Sequence, residues 1–277
     1  MPDTQKLPLR SHIQEKALIM SGYGINSEME TRVAFLRAGM DADIIHINDL
    51  IAGRQHLSDY RVLIFPGGFS YGDDTGAGNA YANRVRNNLW DDLLEFLDGD
   101  NLVLGICNGF QILANLGLVP AFECSYSREI ALMPNRSGRL ECRFVTIRPG
   151  ADTIWTHGIV KLFCPISHGE GNLYCSSETL LRIKKHRQIA FTYCRDDLNP
   201  ACGEYPFNPN GSMEDIAGLT SADGKVLGMM PHPERAMEFT NLYDWPLLKE
   251  QKRRNGEKIP EESLNMTIFR NVVRYFT

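Results

Sequence analysis

Two short runs constrain the fold of this chain more than any other feature. Val62–Phe65 (VLIF) and Leu102–Ile106 (LVLGI) are apolar at nearly every position, and each stops abruptly, the first at Pro66-Gly67-Gly68 and the second at Cys107. A strand with one wet face alternates polar and apolar residues. A strand that is apolar throughout must be covered on both faces, as in a parallel sheet flanked by helices. Lys16–Met20 (KALIM) and Asp43–Ile47 (DIIHI) read as further strands. Between them, Glu28–Gly39 carries Met29, Val33 and Leu36 at helical spacing, with Met40 just beyond. Ala80–Leu97 predicts one long amphipathic helix through Val85, Leu89, Leu93, Leu94 and Leu97, and Gln111–Leu116 predicts another that Gly117 ends. The fold class expected is α/β: a doubly wound, mainly parallel sheet with helices on both faces, flavodoxin-like in plan.

The second half changes texture. Cys142–Ile147, Gln188–Tyr193, Ile216–Ser221 and Lys225–Met230 read as strands, and the last two flank Ala222-Asp223-Gly224, a hairpin signal. They predict an antiparallel extension of the same sheet. A final helix is expected around Leu264–Phe276. No repeat or low-complexity linker interrupts the chain, so residues 1–277 are read as a single domain with a C-terminal helical extension over 245–277. The stretch Leu247–Glu262 reads as solvated, charged decoration.

Composition removes several function classes. The net charge is −5 with both signs interspersed, which argues against a nucleic-acid partner. No apolar run is long enough to span a membrane, and the first sixteen residues, MPDTQKLPLRSHIQEK, hold no apolar core of a secretory signal. The seven cysteines are odd in number and form no C-x-x-C pair, which argues against a disulfide framework or a zinc site. Cys164 and His168 have the nearest metal-like spacing but lack a second pair. A reducing, cytoplasmic setting is expected, with most thiols packed as small core residues.

One cysteine stands apart. In Gly105-Ile106-Cys107-Asn108-Gly109, a buried strand hands over to a helix. A sharp strand–turn–helix bend lifts its central side chain to the rim of the sheet. The residues two positions away must be small for strand and helix to approach. The N-terminus of the following helix favours a thiolate. The plain structural reading is a small buried residue beside turn glycines. A nucleophilic thiol also needs a base, and His232 in Met230-Pro231-His232-Pro233-Glu234 follows a strand and is fixed by prolines. Glu234, two residues on, points the same way if the backbone is extended, and can orient the imidazole. The Asn108 N–H after the nucleophile is one expected oxyanion donor. Gly68, at the end of the neighbouring strand, is the expected second.

These residues match a known pattern. Gly105–Gln111 (GICNGFQ) and Pro231–Glu234 (PHPE) resemble the class I (triad) glutamine amidotransferases. PGGFSYGD (66–73), SGRLECRFV (137–145), SHGEGN (167–172), NPNGS (208–212) and MPHPERA (230–236) are similar to the glutaminase family of phosphoribosylformylglycinamidine (FGAM) synthase. After Gly72-Asp73 the continuation DTGAGNAYANRVRNN resembles the large fused form of that enzyme. The resemblance implies a cysteinyl thioester at Cys107, a triad completed by His232 and Glu234, and the substrate L-glutamine. It places Gln111, Ser167, His168 and Gly169 where related enzymes contact glutamine, although SHGEG could equally be a glycine-rich loop and His168 could serve a partner interface. It implies no cofactor in this chain. ATP and Mg are expected in a synthetase partner, since no G-x-x-x-x-G-K-[ST] segment occurs here. The partners implied are that synthetase subunit and a small accessory subunit. The competing readings are another class I amidotransferase, a cysteine hydrolase on the same fold, and a non-catalytic regulatory subunit.

Overall fold

The computed structural model describes residues 15–122 and 125–277. The N-terminal stretch read for a secretory signal, except its last two residues, and Cys124 lie outside the described residues. In chain order the elements are β1 (Lys16–Ser21), α1 (Glu28–Ala38), β2 (Asp41–His46), α2 (Ile47–Ile51), β3 (Val62–Phe65), α3 (Asn79–Asn88), α4 (Trp90–Asp98), β4 (Leu102–Ile106), α5 (Asn108–Leu116), β5 (Ile130–Pro134), β6 (Glu141–Pro149), β7 (Leu162–His168), β8 (Glu170–Cys175), α6 (Ser177–Lys185), β9 (Ile189–Cys194), β10 (Ile216–Thr220), β11 (Val226–Met229), α7 (Trp245–Arg254) and α8 (Met266–Phe276).

Nine strands form one sheet in the order β2-β1-β3-β4-β11-β10-β9-β6-β7. The first five run parallel, and β10, β9, β6 and β7 continue the sheet antiparallel. The apolar runs explain this arrangement. All residues of β3, β4, β10 and β11 are buried, as strands covered on both faces must be. The β10–β11 hairpin forms as expected, but its second strand enters the parallel block beside β4, pairing Gly228 with Gly105 and Met229 with Ile106. That pairing brings the end of β11 next to the end of β4.

The long helix expected over 80–97 is two helices. Leu89, at φ −132°, ends α3 and begins α4, with its N–H on the Val85 carbonyl and its carbonyl accepting from Leu93. The apolar period passes straight through the break because Leu89 is itself buried. The charges mark the break instead: Arg86 lies in the last turn of α3, while Asp91 and Asp92 open α4, each complementing its own helix dipole. α7 has no buried residue and is laced with surface ion pairs, as its charged composition suggested. α8 packs on α1, with Phe269 edge-on to Phe35 at 5.4 Å.

β5 and β8 form a separate two-stranded ribbon beside the main sheet. β7 ends at His168 and β8 starts at Glu170, so SHGEGN is a tight strand-to-strand corner turning on Gly169. No helix among the described residues is long and apolar enough to cross a membrane.

Candidate active site

Four loops meet beyond the carboxyl ends of the parallel strands, where open α/β sheets place their ligand crevice. The first is the elbow after β4. Cys107 sits at φ 51° and ψ −108°, a backbone conformation a side-chain-bearing residue holds only under constraint. The constraints are visible. The Cys107 N–H donates to the Met229 carbonyl at 2.8 Å, tying the elbow to the end of β11. A Cβ on Gly105 would lie 2.6 Å from the Gly109 carbonyl oxygen, so the strand and helix approach as the glycine spacing requires. Cys107 is buried, and its Sγ lies 3.7 Å from the Ser167 carbonyl.

The second loop follows β11 and carries His232, the base expected from the sequence. His232 is anchored by its N–H on the Pro165 carbonyl at 2.9 Å, and its Nδ1 lies 2.6 Å from Glu234 Oε1, with both side chains buried. The backbone reason differs from the extended one expected. Pro233–Arg235 is a tight 3₁₀ turn, and the carboxylate reaches the ring from within it. With Nδ1 occupied, Nε2 is the atom left for the sulfur. Burial opposes a charged imidazole, but the Glu234 carboxylate and the Cys107 sulfur outweigh it and hold His232 up at about 10.

The third loop follows β3. Gly67 makes room for the base, since a Cβ there would lie 2.6 Å from His232 Cε1 and 3.0 Å from Ser27 Oγ. Gly67→Ala is therefore expected to displace the imidazole and cut any turnover at the thiol by about 100-fold. Steady-state kinetics beside a melting curve check this; a full rate would show the ring tolerates the shift. Arg235 donates to Ser27 Oγ at 2.7 Å and clamps the β1–α1 loop against the base. Among the described residues, neither the Gly68 N–H nor the Asn108 N–H donates to a carbonyl or side chain.

The fourth loop is the β7–β8 corner. Ser167 contributes its carbonyl against the thiol, and Gly169 accepts from the Asn135 N–H at 2.8 Å. His168 does not reach the surface of the chain. It is buried, and Asn135 Nδ2 donates to the His168 and Arg139 carbonyls, which leaves Asn135 Oδ1 to accept from His168 Nδ1 at 3.0 Å. Burial, reinforced by nearby His232, pushes His168 down to about 3, so it is neutral. Gln111 is also buried, with its amide bonded at both ends: Oε1 accepts from Asn108 Nδ2 at 2.9 Å, and Nε2 donates to the Glu170 carbonyl.

Sequence reasoning missed Asp73, Asn135 and Glu170. Burial, with the Glu170 carboxylate nearby, lifts the Asp73 carboxyl to about 6. Asp73 and Glu170 lay in quoted stretches, PGGFSYGD and SHGEGN, but neither carried a role there, and the hydrogen-bond partner of Asp73 is 35 residues away in sequence. Among the described residues no three His, Cys, Asp or Glu side chains are grouped to hold a metal. Cys164 Sγ donates to Asn265 Oδ1 instead. Burial pushes the Cys164, Cys175 and Cys194 thiols up, while Cys142 and Cys202 are exposed.

A buried thiol on a strained elbow, facing an imidazole held by a carboxylate, is an arrangement of nucleophile, base and carboxylate at the rim of a doubly wound sheet. The sequence model of the CobB/CobQ-like glutamine amidotransferase domain matches residues 14–276, and the chain belongs to that family. It is 52% identical over 265 residues to phosphoribosylformylglycinamidine synthase subunit PurQ of Methanococcus maripaludis, covering 94% of this chain and 97% of that one. It is 36% identical over 247 residues to phosphoribosylformylglycinamidine synthase of Drosophila melanogaster, covering 86% of this chain and 18% of that much longer one. Among solved structures it resembles a chain in the structure of PurLQS from Thermotoga maritima, with a TM-score of 0.69 and 25% identity over 95% of this chain and 100% of that one.

Proposed function

We infer that this chain is the glutaminase subunit of FGAM synthase. It hydrolyses L-glutamine to glutamate and ammonia and delivers the ammonia to an ATP-dependent synthetase subunit. That subunit converts formylglycinamide ribonucleotide to formylglycinamidine ribonucleotide in purine biosynthesis. The observation that carries this reading is the buried His232–Glu234 pair beside Cys107, in a chain that matches a PurQ subunit along nearly its whole length.

The geometry supports an acyl-transfer cycle. The Cys107 thiolate attacks the side-chain amide carbon of glutamine. The Gly68 and Asn108 N–H groups, which donate to no other partner among the described residues, receive the developing oxyanion. The Glu234 carboxylate and the Cys107 sulfur favour a charged imidazole, so His232 can give its proton to the leaving amide nitrogen, which departs as ammonia. Once neutral, it accepts a proton from water as that water opens the thioester. Glu234 fixes the ring throughout, as a triad carboxylate does. Ser167 lines the thiol side of the substrate site through its carbonyl, and Gly169 is read as a glutamine contact in the same corner. Gln111 and His168 support that site from beneath, their side chains already committed to protein bonds.

Ammonia released into water would be protonated and lost as a nucleophile, so the site must open towards its acceptor. We read the partners as the synthetase and a small accessory subunit, in line with the relative found in PurLQS. ATP and Mg belong to the synthetase, no cofactor to this chain, and the location is the cytoplasm. Residues 1–277 are read as one domain ending in the helical extension.

The test is mass spectrometry after treatment with a glutamine-derived chloroketone or diazo-ketone, alone and with the partner chains. A single adduct on Cys107, blocked by excess glutamine, is expected. An adduct that forms only with the partners present would mean that they assemble the site. No adduct in either state would overturn the glutaminase reading, and turnover of peptides or esters would point to another cysteine hydrolase.

A further inference from the structure

The Asn108 side chain makes bonds that the acyl-transfer cycle does not call for. While its backbone N–H serves the oxyanion, its amide points into a buried network that joins three loops. Oδ1 accepts from the Ser70 N–H at 3.2 Å, two residues beyond Gly68. Nδ2 donates to Gln111 Oε1 at 2.9 Å and to Asp73 Oδ1 at 3.3 Å. Gln111 passes the chain of bonds on to the Glu170 carbonyl, and Glu170 Oε2 accepts from the Ala77 N–H at 3.0 Å. The loop after β3 is thus tied at both ends, once to the elbow and once to the β7–β8 corner.

That loop needs tying. Tyr71, Gly72 and Asp73 have φ values of 53°, 69° and 57°, three consecutive residues in the left-handed region, two of them with side chains. Such backbone persists only where its surroundings over-determine it. On one side the surroundings are backbone bonds from Phe69 to Gly24 at 2.9 Å and from Tyr71 to Tyr23 at 2.7 Å. On the other side is Asn108. Its amide can accept from a backbone N–H and donate to a carboxylate at the same time, which a carboxylate or an apolar side chain at 108 cannot do. Asn108 is fully buried, so removing its amide would strand the Ser70 N–H and Gln111 Oε1 without partners.

We propose that the Asn108 side chain is a positioning residue. By clamping Ser70 and Asp73 to the first turn of α5, it keeps the Gly68 N–H in register with the Asn108 N–H, so that both donors reach one oxyanion. The proposal rests on the acyl-transfer reading above. An oxyanion forms only in the transition state, so a misplaced donor should lower kcat and leave KM nearly unchanged. What Asp73 supplies is an oxygen acceptor, which asparagine would also supply.

The test is steady-state glutaminase kinetics in the complex with the synthetase and accessory subunits, with a melting curve for each variant. Asp73→Ala is expected to lower kcat about 10-fold and Asn108→Ala about 100-fold or more, with KM within about 2-fold. Asp73→Asn is expected to restore kcat to within about 3-fold of wild type. A wild-type kcat in Asp73→Ala, a loss confined to KM, or an Asp73→Asn as slow as Asp73→Ala would each overturn the clamp. If Asn108→Ala does not fold, the two Asp73 variants still decide. Cys107→Ala serves as the reference. Full activity there would overturn the acyl-transfer reading itself, and the clamp with it.

Discussion

Cys107→Ala is expected to lower glutamine hydrolysis by about 10⁴-fold or more while leaving the fold and the partner complex intact. The size follows from chemistry. Without the sulfur there is no thioester, and His232 is left to direct water at an unactivated amide. At about 1.4 kcal/mol per decade, the loss corresponds to roughly 5 kcal/mol or more of transition-state stabilisation. The fold should survive because the substitution removes one buried atom and keeps the Cβ. Alanine meets the same backbone at φ 51° that cysteine already occupies, so no new strain enters. A second measurement separates lost chemistry from lost assembly. Supplied with ammonium salt in place of glutamine, the Cys107→Ala complex should still amidate formylglycinamide ribonucleotide. Loss of both activities would mean that the thiol holds the complex together, and residual glutamine hydrolysis near wild type would remove Cys107 from the mechanism.

How much of this was legible beforehand depended on the range of the signal. Local signals were enough for β3 and β4, whose apolar runs bound them to the residue, and for the elbow, whose glycines announce how closely strand and helix approach. They also brought His232 and Glu234 together, though for an imperfect reason: an extended backbone was expected where a 3₁₀ turn does the work. Between two prolines either conformation was open. β7 went unread because Pro165 sits in its middle, and a proline inside a run argues against a strand. α3 and α4 were merged because hydrophobic period does not register a break at a buried leucine. The Asn108–Asp73–Gln111–Glu170 network had no periodic signature at all. Its members are polar residues of the loop after β3, the first turn of α5 and the start of β8; the sheet order sets β3 beside β4, but β8 lies outside that sheet and reaches the network through tertiary packing.

Gly109→Ala is the substitution expected to harm stability most. A Cβ at this position would lie 1.7 Å from the Phe65 carbonyl oxygen and 2.6 Å from its carbon, inside any tolerable contact. A flexible side chain could swing aside, but the obstacle is backbone at the end of β3, held in the sheet between β1 and β4. Relief requires moving α5 away from β3, which would also drag Asn108 and the elbow. Overpacking into a rigid core costs about 1–3 kcal/mol, and a clash with fixed backbone belongs at or above the top of that range. In a domain of this size about 3 kcal/mol lowers the melting temperature by roughly 6–12 °C. Thermal or urea denaturation of the purified variant measures it directly. Because the same movement carries the nucleophile and one oxyanion donor, activity should fall even well below the melting point. A Gly109→Ala protein with wild-type stability and rate would mean that helix and strand are not in the close contact that makes the elbow.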